Sequence, residues 1–247
     1  MTKTAASPAI KPMSKKLREK YASPSRITKL GKEVTERLNA NPRVQWLESP
    51  FVQLYVHQQF LTDQECDFLT EAIDANARPS TLYKGTEQDG YRTSSSCDVD
   101  PDHAEISRID HKIADLLGIS NTHSEILQGQ RYEVGQEFKD HHDFFHESET
   151  YWPMEARQGG QRTWTAMAYL NTPEEGGGTA FPQLDYVVEP RRGMLLMWNN
   201  MDPDGEPNRN TLHAGRPVVK GTKYIITKWF RLNKWRDRKS VDAAKDA

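Results

Sequence analysis

The sequence has few cysteines, no long apolar run and no apolar stretch at its N-terminus. Its 247 residues include two cysteines, Cys66 and Cys97, which are too few for a disulfide framework and lack metal-ligand spacing. A run of about 18 apolar residues, which a membrane-spanning helix needs, is absent. The first residues also lack the pattern of a secretory signal. These absences predict free thiols, no membrane partner and a cytoplasmic location.

Charge is distributed unevenly along the chain. The formal net charge is -2, but residues 1–44 hold eleven Lys and Arg against three Asp and Glu, so they carry +8 and the remainder carries -10. A basic segment could contact nucleic acid or an acidic partner. This one lacks interleaved aromatic residues, so a solvated extension is favoured over a nucleic-acid arm. Residues 1–45 are therefore predicted to be a mostly disordered basic extension, with a short helix allowed over 27–38.

The rest of the chain predicts one domain at residues 46–233 and a flexible tail at 234–247. Two helices support this domain: one begins with a capping box at Thr62, and the other begins near Pro101 and ends at Gly118. Strand candidates separated by turn residues lie at 125–134, 162–171, 178–189, 192–199 and 222–231. Such spacing is typical of an antiparallel barrel or jelly roll, so the fold class is predicted to be mainly β with supporting helices.

A His-x-Asp pair is the main candidate for a metal site. Residues two apart in an extended segment point to the same side, so His141 and Asp143 would face one point while His142 faces away. His213 is the best candidate for a third ligand from a distant part of the chain. Two His and one carboxylate leave three metal positions open, as in non-haem Fe(II) oxygenases. Because one His-x-Asp pair arises easily by chance, structural histidines are the competing interpretation, and His142 and His146 are local alternatives as ligands.

A lysine ten residues after His213 makes this pattern more specific. Lys223 shares one face of the candidate strand 222–231 with Ile225 and Trp229. A lysine on a buried face needs an anion, because an unpaired ammonium is costly in a core. A dicarboxylate cosubstrate would supply that anion. Lys228 points the other way and is interpreted as a surface residue on an edge strand.

Seven ordered motifs extend these observations over residues 50–231. They are Leu61–Cys66, Arg92–Ser94, Glu125–Gln128, Tyr132–Asp143, Gly160–Asn171, Gly176–Pro182 and His213–Trp229. In this order they resemble the prolyl 4-hydroxylase family of 2-oxoglutarate/Fe(II) dioxygenases. The resemblance implies a double-stranded β-helix (jelly roll) whose Fe(II) is bound by His141, Asp143 and His213. It also implies that Lys223 pairs with the distal carboxylate of 2-oxoglutarate, helped by Tyr132 and Thr179.

The same resemblance implies a substrate site and a reaction. Its substrate positions are Arg92, Ser94, Arg162 and Trp229, and residues 79–96 correspond to a mobile loop that closes over the substrate. The expected reaction is hydroxylation of a prolyl residue in a peptide or protein, with release of succinate and CO₂.

Three departures from the family pattern weaken the inference of substrate more than that of reaction type. Phe138 stands where a tyrosine is usual, Arg216 where a small residue or cysteine is usual, and Arg231 where the family often has a histidine. Alternatives therefore stay open: hydroxylation of a free amino acid or small metabolite, a non-catalytic β-barrel binding module, and a nucleic-acid demethylase. Ascorbate as a further cofactor and the oligomeric state are also open.

Overall fold

The computed structural model describes residues 13–81 and 90–235, and every structural statement below concerns these ranges. Helices α1 to α5 lie at Lys15–Tyr21, Pro24–Asn39, Asp63–Asn76, Ala104–Leu117 and Trp152–Arg157. Strands β1 to β7 lie at Val44–Leu47, Leu54–His57, Arg78–Pro79, Ser95–Asp98, Gln128–Tyr132, Phe138–His141 and Arg162–Tyr169. Strands β8 to β14 lie at Glu175–Gly176, Thr179–Phe181, Tyr186–Val188, Leu195–Asn199, His213–Gly215, Val218–Lys220 and Lys223–Arg231. Within the described ranges, none of the helices combines the length and the apolar character that a bilayer crossing requires.

Antiparallel sheets form the body of the molecule. The major sheet has the strand order β1-β2-β11-β7-β14-β5-β4-β3, and the minor sheet has the order β10-β9-β12-β6. A short ladder joins β13 to β8. The predicted class, mainly β with supporting helices, is confirmed. The candidate strand 178–189 is divided into β9 and β10, because Pro182 begins a 3₁₀ turn and Asp185 adopts φ 48°.

The major sheet is covered on both faces, and β14 contributes to both cores. Ile226 joins the core that α3 and α4 form with the sheet, together with Leu69 and Ile113. Ile225, the next residue, joins the core on the opposite face with Trp198. This alternation is the two-residue period of a strand. It places Lys223 and Lys228 on opposite faces of one strand.

The two supporting helices begin and end by different devices. Thr62 Oγ1 accepts from the Glu65 N–H at 3.2 Å while the Glu65 carboxylate accepts from the Thr62 N–H at 2.7 Å, so the predicted capping box is present. The predicted start of α4 near Pro101 is wrong. Asp100 instead closes a turn by accepting from the Asp102 N–H at 3.0 Å, and the helix starts after His103. Its predicted end at Gly118 is confirmed by the left-handed backbone there.

The N-terminal segment is helical rather than mostly disordered over its described part. α2 turns Ile27, Val34 and Leu38 inward, and the last two join the core beneath α4. The sequence prediction counted the charged residues of this segment and underweighted the apolar stripe at helical spacing. Residues 1–12 lie outside the described residues. At the other end, Trp235 donates its backbone N–H to the Thr122 carbonyl at 3.0 Å, and residues 236–247 lie outside the described ranges.

The interpretation of Lys228 as a surface residue on an edge strand is wrong. β14 lies between β5 and β7, so both of its edges are paired. Lys228 is fully buried against α4, where its ammonium forms an ion pair with Asp110 and donates to Asn121 Oδ1 at 2.7 Å. The sequence shows the strand but not which strands flank it.

Candidate metal centre and cleft

Three side chains, two on neighbouring strands and one just beyond the end of β6, converge on one point. His141 ends β6, His213 begins β12, and the two are register partners in the minor sheet. Asp143 follows β6 by two residues, and one ligand atom from each of the three residues lies within 4.8 Å of the others. Two imidazole nitrogens and one carboxylate oxygen form the donor set that suits a non-haem Fe(II) site with open positions. The residues present therefore fit Fe(II).

Backbone carbonyls orient both imidazoles. His141 Nδ1 lies 2.8 Å from the Lys139 carbonyl oxygen, and His213 Nδ1 lies 2.9 Å from the Thr211 carbonyl oxygen. A carbonyl oxygen only accepts, so each Nδ1 carries the proton and donates it. Each Nε2 therefore keeps its lone pair for a metal. These two partners could not be named from sequence.

The third candidate ligand is held by a side-chain relay. Asp143 Oδ2 accepts from Thr165 Oγ1 at 2.7 Å, and Thr165 Oγ1 accepts from Asn200 Nδ2 at 2.9 Å. Burial opposes ionisation of Asp143, but the nearby His213 and His141 lower its pKa overall. Burial, followed by the electrostatic effect of the neighbouring His213, lowers the pKa of His141 to about 3. At neutral pH a carboxylate and a neutral imidazole are therefore ready to bind a cation.

Phe138 packs face to face on His141. The two ring centroids are 3.6 Å apart with an interplanar angle of 14°. The Arg92 guanidinium lies 4.9 Å from the centroid of the Phe138 ring. The position at which the family has a tyrosine therefore holds an apolar ring that restrains the plane of a candidate ligand.

Lys223 is buried in a pocket whose wall includes two aromatic rings. Its side chain is 1% exposed, and Nζ is 5.3 Å and 5.5 Å from the ring centroids of Tyr132 and Tyr169. Within the described ranges, no carboxylate oxygen lies within 4.0 Å of this ammonium. Burial lowers the pKa of Lys223 to about 7, with Glu189 opposing the shift. A buried cation without an internal anion suits the distal carboxylate of 2-oxoglutarate.

The other predicted cosubstrate residues lie around this pocket. Tyr132 is the register partner of Lys223 across β5 and β14. Thr179 Oγ1 accepts from the Tyr169 hydroxyl at 2.7 Å, so Thr179 is joined to the pocket through that ring. Tyr169 belongs to one of the sequence motifs, but sequence reasoning gave it no role. Its position beside Lys223 depends on the pairing of β7 with β14.

A cleft of about 780 Å³ reaches the triad from outside. His141 and Asp143 are among its lining residues, as are Arg92, Arg162 and Trp229, three of the four predicted substrate residues. Ser94 is buried beneath the lining and lies 3.4 Å from Arg92 Nε, which donates to its hydroxyl. Thr81 and Tyr91, which lie within the predicted mobile loop 79–96, line the cleft, and residues 82–89 of that loop lie outside the described residues.

Arg162 is fixed in the cleft wall by Glu125. Its Nε and Nη2 both donate to that carboxylate at 2.6 Å, and the guanidinium lies 4.2 Å from the Trp229 ring. Arg231 donates to Glu125 at 2.5 Å and to Glu155 at 2.5 Å, and its side chain is buried. The arginine that replaces the family histidine is therefore held between two carboxylates rather than lining the cleft.

Sequence comparisons relate this site to known enzymes. The family model described as the 2OG-Fe(II) oxygenase superfamily matches residues 127–231, which include the triad and Lys223. The chain is 33% identical over 217 residues to probable prolyl 4-hydroxylase 8 of Arabidopsis thaliana, covering 77% of this chain and 73% of that relative. It is 31% identical over 206 residues to prolyl 4-hydroxylase 5 of the same plant, covering 73% and 69%.

Solved structures give the same relationship. The viral collagen prolyl hydroxylase of Paramecium Bursaria Chlorella virus-1, in its 2OG complex, matches with a TM-score of 0.57 and 32% identity, over 72% of this chain and 95% of that chain. A prolyl hydroxylase of Trichoplax adhaerens in complex with a hypoxia inducible factor peptide fragment has a TM-score of 0.57 at 17% identity, a likeness of fold alone. The predicted double-stranded β-helix is confirmed by these similarities.

Proposed function

The chain belongs to the prolyl 4-hydroxylase-like 2OG-Fe(II) oxygenases, and on this premise we propose that it hydroxylates a prolyl residue of a peptide or protein. The observation that carries the proposal is the combination of a His-Asp-His triad with a buried Lys223 that has no carboxylate at ion-pair distance in the described ranges. The triad suits Fe(II), and the lysine suits the far carboxylate of a dicarboxylate cosubstrate. A lysine of a structural ion pair would instead have an internal carboxylate, as Lys228 has in Asp110.

The roles of the residues follow from their contacts. His141, Asp143 and His213 would hold the iron, and the carbonyls of Lys139 and Thr211 would keep both imidazoles in the ligand tautomer. When bound, Fe(II) and 2-oxoglutarate supply the O₂-dependent oxidation that places a hydroxyl on the substrate and releases succinate and CO₂.

The pocket residues orient the cosubstrate and keep water out. Lys223 binds the distal carboxylate as an ammonium, within a wall formed by Tyr132 and Tyr169. Buried aromatic walls limit water around the reacting groups, which protects an oxidising centre from side reactions. The rings thus orient the cosubstrate without contributing a charge that would compete with Lys223.

The cleft favours a peptide over a free amino acid. A volume of about 780 Å³ lies within the range of about 300–1,000 Å³ that accommodates drug-sized ligands, so it has room for residues on both sides of the reacting one. Arg92 lines the cleft with a guanidinium that can donate to peptide carbonyls, and the Trp229 ring lies beside it as an apolar surface. Extended proline-rich segments expose such carbonyls and are already ordered.

The proposal is tested by measuring conversion of 2-oxoglutarate to succinate with Fe(II), with and without substrate. We expect oligoproline or another proline-containing peptide to stimulate turnover at least about tenfold, the contribution of a substrate that completes the site. Free proline and other free amino acids are the comparison set, and His141→Ala is the inactive control. Stimulation by a free amino acid alone would replace the peptide proposal with the metabolite alternative. Equal turnover by wild type and His141→Ala would contradict catalysis at this centre.

Three further properties stay predictions. The cytoplasmic location rests on the low cysteine content, and an ascorbate requirement is tested by adding ascorbate to the same assay. A nucleic-acid partner is disfavoured, because residues 45–247 carry a net charge of -10. Salt-dependent binding of DNA or RNA would reverse that expectation.

A further inference from the structure

The N-terminal helices contact two loops that carry the centre. We name residues 144–161 the cleft loop, because it follows Asp143 and contributes Phe145 and Tyr151 to the cleft lining. We name residues 200–212 the ligand loop, because it ends at His213. α1 and the start of α2 pack against both loops.

A single guanidinium joins the two loops. Arg18, on α1, donates from Nη2 to Glu206 on the ligand loop at 2.5 Å and from Nε to Glu147 on the cleft loop at 3.4 Å. Glu147 lies four residues beyond Asp143, and Glu206 lies seven residues before His213. Both ion pairs are partly exposed, so they add little to global stability. Their consequence is geometric: they hold the two loops at a fixed separation.

Backbone and apolar contacts complete the attachment to the cleft loop. The Tyr21 carbonyl accepts from the Gln161 N–H at 3.0 Å. The Gln161 side chain bonds to both the N–H and the carbonyl of Phe145, at 2.6 Å and 2.9 Å. Ala22 packs in one cluster with Phe145 and Trp152. A side chain that lines the cleft is thus held from behind by the end of α1.

The start of α2 holds the ligand loop in the same way. Thr28 Oγ1 donates to the Pro203 carbonyl at 3.1 Å. Gly205, with φ 80°, packs so closely on the Pro24 carbonyl that a Cβ would not fit. The ligand loop therefore depends on contacts with a helix of the basic N-terminal segment.

We propose that Arg18 is a positioning residue for peptide binding, which ties the cleft loop to the ligand loop and sets peptide affinity without touching the peptide. The inference rests on the proposed prolyl-peptide function. When the cleft wall is already ordered, peptide binding does not have to supply the free energy of ordering it. Loss of this order should therefore weaken peptide binding more than it slows the reaction. Cosubstrate binding should be insensitive, because Lys223 lies outside the cleft lining.

The test compares Arg18→Ala with Lys16→Ala in the full chain. Lys16 is an exposed cation on the same helix, so its removal matches the charge change. We expect Arg18→Ala to raise the KM for oligoproline about tenfold, while kcat and the KM for 2-oxoglutarate stay within about twofold. Arg18→Lys should restore part of the affinity. Glu206→Gln should reproduce part of the defect and add little to Arg18→Ala, because Arg18→Ala already removes the Arg18–Glu206 ion pair.

A second readout needs no turnover. Hydrogen–deuterium exchange of the cleft and ligand loops should be about tenfold faster in Arg18→Ala than in Lys16→Ala, with unchanged exchange in the major sheet. Unchanged loop exchange would overturn the positioning role, and so would faster exchange with an unchanged KM. If oligoproline does not stimulate the wild-type enzyme, the proposed substrate fails, and the exchange result alone decides whether Arg18 restrains the loops.

Discussion

Lys223 and Lys228 lie on opposite faces of the same strand, and both are buried. The outer face of β14 is the face that α4 covers. There Lys228 contacts Asp110 and Asn121, which come from α4 and the turn after it. The inner face is the opposite face of the strand. There Lys223 contacts aromatic rings, and within the described ranges no carboxylate lies at ion-pair distance from its ammonium. The contrast separates a cation that completes the fold from a cation that awaits a ligand. Both lysines are buried, so burial does not distinguish them. They differ in the counter-ion, which the fold supplies to Lys228 and which a bound ligand would supply to Lys223.

The largest effect is expected from breaking the outer pair. Lys228→Met leaves the Asp110 carboxylate buried without its cation, which should lower the free energy of unfolding by about 3–5 kcal/mol. Urea denaturation measures this loss. The double variant Lys228→Met with Asp110→Leu should recover much of the stability, because no unpaired charge is then buried. A loss below about 1 kcal/mol for the single variant would show that the outer pair is dispensable and would erase the contrast.

The next effect is expected on the inner face and concerns ligand binding rather than stability. Lys223→Met should weaken 2-oxoglutarate binding about 100-fold, or about 2.7 kcal/mol, because the distal carboxylate loses its cation. Unfolding free energy should stay within about 1 kcal/mol or rise, since the variant no longer buries an unpaired ammonium. Anaerobic titration with Fe(II) present measures the affinity, and metal analysis should show iron retained. Loss of iron together with cosubstrate would contradict the division of roles between Lys223 and the triad.

Sequence alone predicted the environment of Lys223 and the triad better than the environment of Lys228. His141 and Asp143 could be paired, and Lys223 related to His213, because a two-residue strand period and a short motif spacing are local properties. His213 was joined to the pair by the order of the family motifs. The position of Lys228 could not, because its environment depends on α4 covering the sheet and on β5 and β7 flanking β14. These are contacts between parts of the chain far apart in sequence.

The same limit explains one other error and one omission, while a second error has a local cause. The helix start at Pro101 failed because the Asp100 turn competes with a proline at the first helical position. The N-terminal segment was predicted to be disordered from its composition. The apolar stripe of α2 stabilises a helix only when it packs against another surface, which the sequence does not show. Tyr169 received no role because only strand pairing brings it beside Lys223.

The smallest effect sharpens the contrast through pH. With the pKa of Lys223 lowered by burial to about 7, the ammonium form dominates at pH 6 and the neutral form at pH 8 in the ligand-free protein. Since the charged form binds the dicarboxylate, affinity for 2-oxoglutarate should fall about tenfold as the pH rises from 6 to 8. The other titratable groups facing the ammonium are Tyr132 and Tyr169, whose pKa values burial raises, and Glu189, whose negative charge favours the ammonium.

Lys223→Arg isolates that dependence from any other titration at the centre. A guanidinium stays charged across this range, so the variant should lose the pH slope even if its different shape weakens binding overall. Affinity measured at pH 6, 7 and 8 under anaerobic conditions gives both slopes. If the affinity of Lys223→Arg for 2-oxoglutarate still falls with pH, the titrating group lies among the metal-binding residues rather than at position 223. A flat wild-type profile would mean that Lys223 keeps its proton while buried and that its pocket is more polar than the aromatic walls indicate.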